Sequence, residues 1–184
     1  MSSLILQAPT RRFSLRDRTT GEYTMLDVTV ICVGKLKEKF YTEASAEYKK
    51  RLGAYCKLEI DELPEEKRSG IPSESGTEAA LLREAELIKS RIPSGSKIIA
   101  LCIEGKKYSS EGLASILESC AVSGASKLCF IIGGSDGLHN SIKSMSDIRL
   151  SMSDMTFPHH LARIMLLEQI YRGFKINEGG KYHK

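Results

Sequence analysis

Four short apolar runs, LDVTVICV, CKLEIDEL, KIIALCI and KLCFII, are separated by stretches long enough to hold a helix, and this alternation limits the fold more than any other feature of the chain. Runs rich in β-branched residues and bounded by Gly or Pro read as strands. Gly34 ends the first, Pro64 the second, Pro93 to Ser96 precede the third, and Gly133-Gly134 follows the fourth. Between the first two, Phe40, Ala44, Tyr48 and Leu52 recur every four residues, a helical stripe ended by Gly53. A second helix is expected over 78–92, capped by Thr77 after a Ser-rich surface loop broken by Pro72. A third is expected over 111–122, capped by Ser109 or Ser110 and stopped by Gly124, and a short helix near 140–145 and a short strand near 148–150 follow. Parallel neighbours need crossovers and helices supply them, so the expected fold class is α/β, a mainly parallel sheet covered by helices on both faces. Ligands bind such sheets beyond the carboxyl ends of the strands. The loops GKLKEK, EGKKYSS and GGSDG are therefore the places to look.

With 184 residues, 41% apolar and 27% charged, the chain suits one globular domain, expected over 25–184. No window approaches the roughly 18 to 20 continuous apolar residues that cross a bilayer, so no membrane partner is expected. A net charge of +4 permits a nucleic-acid partner without the density that binds phosphate by charge alone. The five cysteines form no C-x-x-C pair, and Cys32, Cys102 and Cys129 lie inside apolar runs, which points to free thiols in a reducing compartment, the cytoplasm. Residues 1–24 differ from the rest: Arg11, Arg12, Arg16 and Arg18 sit among Ser and Thr. They read as a disordered leader, either an organelle transit segment or an extension upstream of a start at Met25.

The segment 150–184 joins an irregular loop, an apolar helix and a polar tail. LSMSDMTF carries neither a helical stripe nor a Gly/Pro turn cluster; it suits either an edge strand or a pocket wall in which Met touches a flat ring while main-chain groups read its edge. PHHLARIMLLEQIYRGF opens with Pro158, whose missing N–H costs nothing at a helix start. The helix is apolar on most sides apart from Arg163 and needs cover twice, from its own sheet and from a second copy of the chain. His159 and His160 are adjacent, a spacing that does not chelate, so no metal site is expected. The glycines of IIGGSDGL allow either a plain turn or close approach of a ligand to backbone. They lack the third glycine of a dinucleotide fingerprint, and no Walker lysine follows. Lys35, Lys37 and Lys39 would gather with Lys106 and Lys107 at one end of a parallel sheet, as a solvated face or a phosphate contact.

FIIGGSDGL, LSMSDMTFPHHLARIMLLEQIYRGFKI and the terminal YHK, with VGKLKEKF and EYKKRLGAY nearer the start, resemble the RlmH family of SPOUT-class methyltransferases, which modify a large-subunit rRNA pseudouridine. The resemblance runs from Met25 to Lys184. It implies a C-terminal trefoil knot, bound S-adenosylmethionine, a homodimer and methylation at N3 of the pseudouridine. Transferred by position, it implies cofactor contacts from Leu101, Gly133, Met152, Ser153, Asp154, Met155, Thr156 and Phe157, and a tail of Tyr182, His183 and Lys184 that reaches the partner's pocket. Where many relatives carry an acidic residue after the strand-three leucine, this chain has Cys102.

Methyl transfer from a sulfonium is an in-line displacement that needs alignment above all, and N3 must lose a proton. His183, Tyr182, His159 and Arg163 are the candidates for base or for stabilising the nucleobase anion, with Arg163 expected to support the pocket rather than move a proton. Lys35, Lys37, Lys106, Lys107 and Lys184 are the expected RNA contacts. The sequence carries no appended RNA-binding module, which favours a shaped substrate, the assembled ribosome, over a bare oligonucleotide. A tRNA methyltransferase of the same class, a non-catalytic RNA- or nucleotide-binding module and a flavodoxin-like flavin binder are the alternatives.

Overall fold

The computed structural model describes residues 15–16, 23–66, 74–122 and 126–179. Two short strands, β1 (Leu15–Arg16) and β2 (Tyr23–Thr24), pair antiparallel within the segment expected to be disordered. The main sheet comprises β3 (Leu26–Val33), β4 (Cys56–Leu63), β5 (Lys97–Lys107), β6 (Lys127–Ile132) and β7 (Ile148–Ser151), all parallel, in the order β4-β3-β6-β5-β7. The helices are α1 (Lys39–Leu52), α2 (Glu74–Arg91), α3 (Ser110–Val122), α4 (Asn140–Met145) and α5 (His159–Asn177).

The strands' alternation sorts their side chains onto two faces. From β3, Val28, Val30 and Cys32 point into one core with Leu128, Phe130 and Ile132 of β6, where Leu117 of α3 and Leu166, Leu167, Ile170 and Phe174 of α5 close over them. Ile31 and Val33 point the other way with Cys129 and Ile131, beneath Ala85 and Ile88 of α2 and Ile142 of α4. The result is α1, α3 and α5 on one face and α2 and α4 on the other, the layered α/β arrangement the alternation predicts. All five cysteines are free; Cys32, Cys56, Cys120 and Cys129 are buried and pack as small apolar groups.

Some expectations need correction. Thr77 is not a cap: α2 begins at Glu74, so Thr77 lies in its first turn. The third strand does not stop at Ile103 but continues to Lys107, and Lys106 and Lys107 belong to the strand rather than to a turn. Phe40 does not join the helical stripe in the core; it is 62% exposed. Helix α5 has apolar contacts on most sides, but α1 and α3 of the same chain supply much of the second cover. Gly173 permits close approach to α3, since a Cβ there would stand 2.7 Å from Leu117. Among the described residues no helix is long and apolar enough to cross a membrane, and no group of His, Cys, Asp and Glu is arranged to hold a metal.

Candidate active site

The carboxyl ends of β5, β6 and β7 open into a cavity of about 610 Å³. One wall is the turn after β6. A Cβ on Gly133 would meet the Gly137 carbonyl oxygen at 2.1 Å, while Gly137 has φ +81° and donates its N–H to the Gly134 carbonyl at 3.1 Å. A side chain at 133 would collide with backbone, so the turn closes only with glycine there.

The second wall is extruded from β5. Leu101 pairs with Leu150 of β7, and after a register shift Lys106 pairs with the same Leu150, which leaves 102–105 bulged out of the ladder. Cys102, Ile103 and Glu104 thereby face the cavity, a common use of bulges beside sites. Gly105 ends the bulge pressed against the Arg149 backbone, 2.7 Å from where its Cβ would be. Glu104 forms an ion pair of 2.7 Å with Lys143 of α4. That lysine's hydrogen bond holds the Glu104 carboxyl below the usual carboxylate range.

The third wall is the segment 151–157, which leaves β7 as an irregular loop rather than an extended edge strand. Its serines fix its shape: Ser151 Oγ donates to the Ser153 carbonyl at 3.0 Å, and Met155 N–H donates to Ser153 Oγ at 3.0 Å. Of the residues expected to contact cofactor, Leu101, Gly133, Met152, Ser153, Met155, Thr156 and Phe157 line the cavity. Asp154 does not. Its side chain is turned outward and paired with Lys107 at 2.6 and 2.8 Å, so this aspartate and an expected RNA-contacting lysine hold each other. Lys106 lies over the Tyr108 ring at 5.1 Å, while Lys35 and Lys37 are exposed.

His159 and Arg163, one turn apart on α5, part company. His159 lines the cavity, and its Nε2 is buried with no hydrogen-bond partner among the described residues. Burial, and then the charge of His160 with its ring centroid 4.0 Å away, push the His159 pKa down, so the ring is neutral at pH 7. Arg163 is 1% exposed and faces the end of β3 instead, donating to Glu62 of β4 and, at 2.7 Å, to the Gly34 carbonyl. Glu62 in turn accepts the Leu36 N–H at 3.2 Å. The guanidinium thus fastens the loop after β3 and is a positioning group. The Cys32 thiol beside it is pushed up to about 12 by burial, which keeps it protonated. Tyr182, His183 and Lys184 lie outside the described residues.

Sequence reasoning missed the acids at the strand ends. Glu65 accepts from Ser135 N–H at 3.0 Å and Ser135 Oγ at 2.7 Å, tying the chain after β4 to the glycine turn after β6. Those bonds, first the hydroxyl's and then the amide's, lower its pKa. Read locally, Glu62 and Glu65 are charges around a proline; only the parallel pairing of β4 with β3 and of β3 with β6 brings them to the site. Glu104 and Lys143 were likewise invisible, 39 positions apart in numbering and joined by the bulge. The remaining described histidine, His139, is structural: it accepts the Ser141 N–H at the start of α4 and meets Glu78 at 2.9 Å.

Comparison with known proteins identifies the architecture. The fold is similar to that of a probable methylase family protein from Haemophilus influenzae Rd KW20, with a TM-score of 0.50 and 14% identity over 87% of this chain and 72% of that one. It also matches the SpoU methyltransferase AviRb from Streptomyces viridochromogenes, with a TM-score of 0.44 and 12% identity over 84% of this chain and 61% of that one. The AviRb complex with the cofactor AdoMet matches with the same TM-score and identity over 90% and 63%. At 14% identity the likeness to the Haemophilus protein is one of fold alone. The family pattern described as "Predicted SPOUT methyltransferase" matches residues 26–183. A chain matched over nearly its whole length, with a cavity at the strand ends of the expected sheet, belongs to the SPOUT methyltransferase family.

Proposed function

We propose that this protein is an S-adenosylmethionine-dependent methyltransferase that modifies N3 of a pseudouridine in large-subunit rRNA, acting as a homodimer on the assembled ribosome. The observation that carries the reading is the cavity itself. At about 610 Å³ it falls within the range of small-molecule sites, and it combines apolar surface from Leu101, Met152 and Phe157 with main-chain groups of two rigid turns. The residues fit the cofactor: the Gly133 turn lends main-chain groups to the cavity wall, and Glu104 and Lys143 offer both charges to a zwitterionic amino-acid end. When bound, S-adenosylmethionine supplies an electrophilic methyl group on sulfur.

The chain's own contribution is alignment. The loop 151–157 is held by its serines, the glycine turn by Glu65, and the helix start at His159 by the packing of α5, so the walls need no rearrangement to hold a ligand. His159, neutral and at the cavity wall, is one candidate for the N3 proton, and its Nε2, buried against Gly34, must turn toward the cavity to take it. Tyr182 and His183 of the tail are the other candidates for the N3 proton, a role that rests on the resemblance described above. So do the C-terminal knot and the tail's approach to the partner's pocket. Dimerisation is supported by α5, where Leu161, Ile164 and Met165 stay only half-buried after α1, α3 and the sheet have packed.

The test compares rRNA nucleosides by mass spectrometry in cells with and without the gene. Loss of N3-methylpseudouridine in the deletion is the expected result. An unchanged rRNA profile, or a missing methyl in tRNA instead, overturns the substrate; absence of S-adenosylmethionine binding by calorimetry overturns the enzyme.

A further inference from the structure

Phe40 stands at the first turn of α1, exposed, in the run Lys35-Leu36-Lys37-Glu38-Lys39-Phe40-Tyr41. One exposed apolar side chain needs no explanation by itself. Here three further observations converge on it. Lys35, Lys37 and Lys39 are exposed on the same loop and helix start; of the acids beside them, Glu38 leans toward His160 at 3.7 Å and Glu43 pairs with Lys39 at 3.6 Å. Phe40 is joined to the cavity by a run of rings: its centroid lies 4.2 Å from that of Tyr41, Tyr41 lies 6.0 Å from His160, and His160 lies 4.0 Å from His159, which lines the cavity. The loop is also fixed in place, since Arg163 holds the Gly34 carbonyl and Glu62 holds the Leu36 N–H.

We infer that Phe40, flanked by Lys35, Lys37 and Lys39 and continued by Tyr41, is a stacking platform for an unstacked nucleotide of the RNA beside the target base. The inference rests on the methyltransferase reading of the cavity. An aromatic face takes any base, and lysines around it take the phosphates on either side, which is the combination single-stranded RNA selects. The ring run from Phe40 through Tyr41 and His160 ends on His159 at the cavity wall, so an RNA strand stacked on the platform is led toward the cavity. Because the loop is held before RNA arrives, little ordering entropy opposes binding.

The experiment uses the full chain with ribosomes purified from cells lacking the gene as substrate. Phe40→Ala should raise the KM for ribosomes roughly tenfold, in keeping with the loss of one stacked base, while calorimetric affinity for S-adenosylmethionine and the sedimentation of the protein stay as in wild type. Phe40→Trp should restore the KM, and Phe40→Leu should not. An unchanged KM in Phe40→Ala overturns the platform. So does rescue by leucine, which would mean an apolar protein contact, and so does a loss of dimer in Phe40→Ala, which would mean that a second copy covers the ring. Wild-type protein that neither binds S-adenosylmethionine nor methylates ribosomes would instead remove the functional reading beneath it.

Discussion

β3 and β6 are neighbours in the sheet and both end in glycine, yet the two turns do opposite things. After β3, Gly34 adopts φ +93° and makes room for a side chain: His159 Nε2 sits 2.9 Å from where its Cβ would be, and Arg163 holds its carbonyl. After β6, Gly133 makes room for backbone, and the turn folds on itself beside open space. The first turn is filled by the protein, and the second borders the open cavity. A glycine at a strand end thus carries no function in its identity; what approaches it decides.

Substitutions should separate the two. The largest effect is expected from Gly133→Ala, where the added methyl meets a carbonyl oxygen at 2.1 Å. Relief requires the turn to open, at about 3 kcal/mol of stability, and calorimetric binding of S-adenosylmethionine should fall below detection. Retained binding would mean that this turn does not hold the cofactor. Arg163→Met should follow, at roughly 2 to 3 kcal/mol in urea unfolding, because Glu62 and the Gly34 carbonyl lose their shared donor. The figure is held below that of a fully buried pair because Glu62 is 33% exposed. The contrast predicts that stability drops far more than cofactor affinity; the reverse outcome would place Arg163 in the site.

Glu65→Gln should be milder, weakening S-adenosylmethionine binding about fivefold through a looser glycine turn. Since the Glu65 pKa is lowered in the fold, its contribution is present above the ordinary carboxylate value of 4.5 and is lost as pH falls through the lowered one. The glutamine variant should therefore show a flatter acid limb in stability, read from urea midpoints below pH 4.5. The smallest effect belongs to His159. Its pKa is lowered from 6.5, so the unfolded chain binds more protons between the lowered value and 6.5, and stability rises with pH across that window. His159→Asn should flatten this slope when urea midpoints at pH 5 and pH 7.5 are compared. An equal slope in the variant would assign the dependence to other groups.

These contrasts also mark what can be read from the chain alone. The strands were legible because their apolar content is local: Val28, Val30 and Ile31 announce burial on both faces without reference to anything else. The glycine turn and the 151–157 loop were legible as candidate walls for the same reason, since Gly-Gly after a strand and an aperiodic Ser-Met run are local signals. Glu62, Glu65, Glu104 and Lys143 were not. Each is an ordinary charged residue until strand pairing brings it to the sheet's end, and no spacing rule encodes that pairing. Phe40 misled because its four-residue spacing from Ala44 matches a buried stripe, whereas α1 starts at Lys39 and its first turn extends past the core. The lysines at 106 and 107 misled because Gly105 reads as a turn, when its lack of a side chain serves close contact with the Arg149 backbone inside a strand.

That bulge has one more consequence. Leu150 is the partner of both Leu101 and Lys106, so the ladder resumes where it left off, whatever stands between. Residues can be added to or taken from 102–105 without moving any strand by a step, provided a glycine closes the excursion. The sheet is in this sense blind to the length of one wall of its own cavity. A lineage could reshape that wall by insertion or deletion while its core stayed in register, and an engineer could do the same.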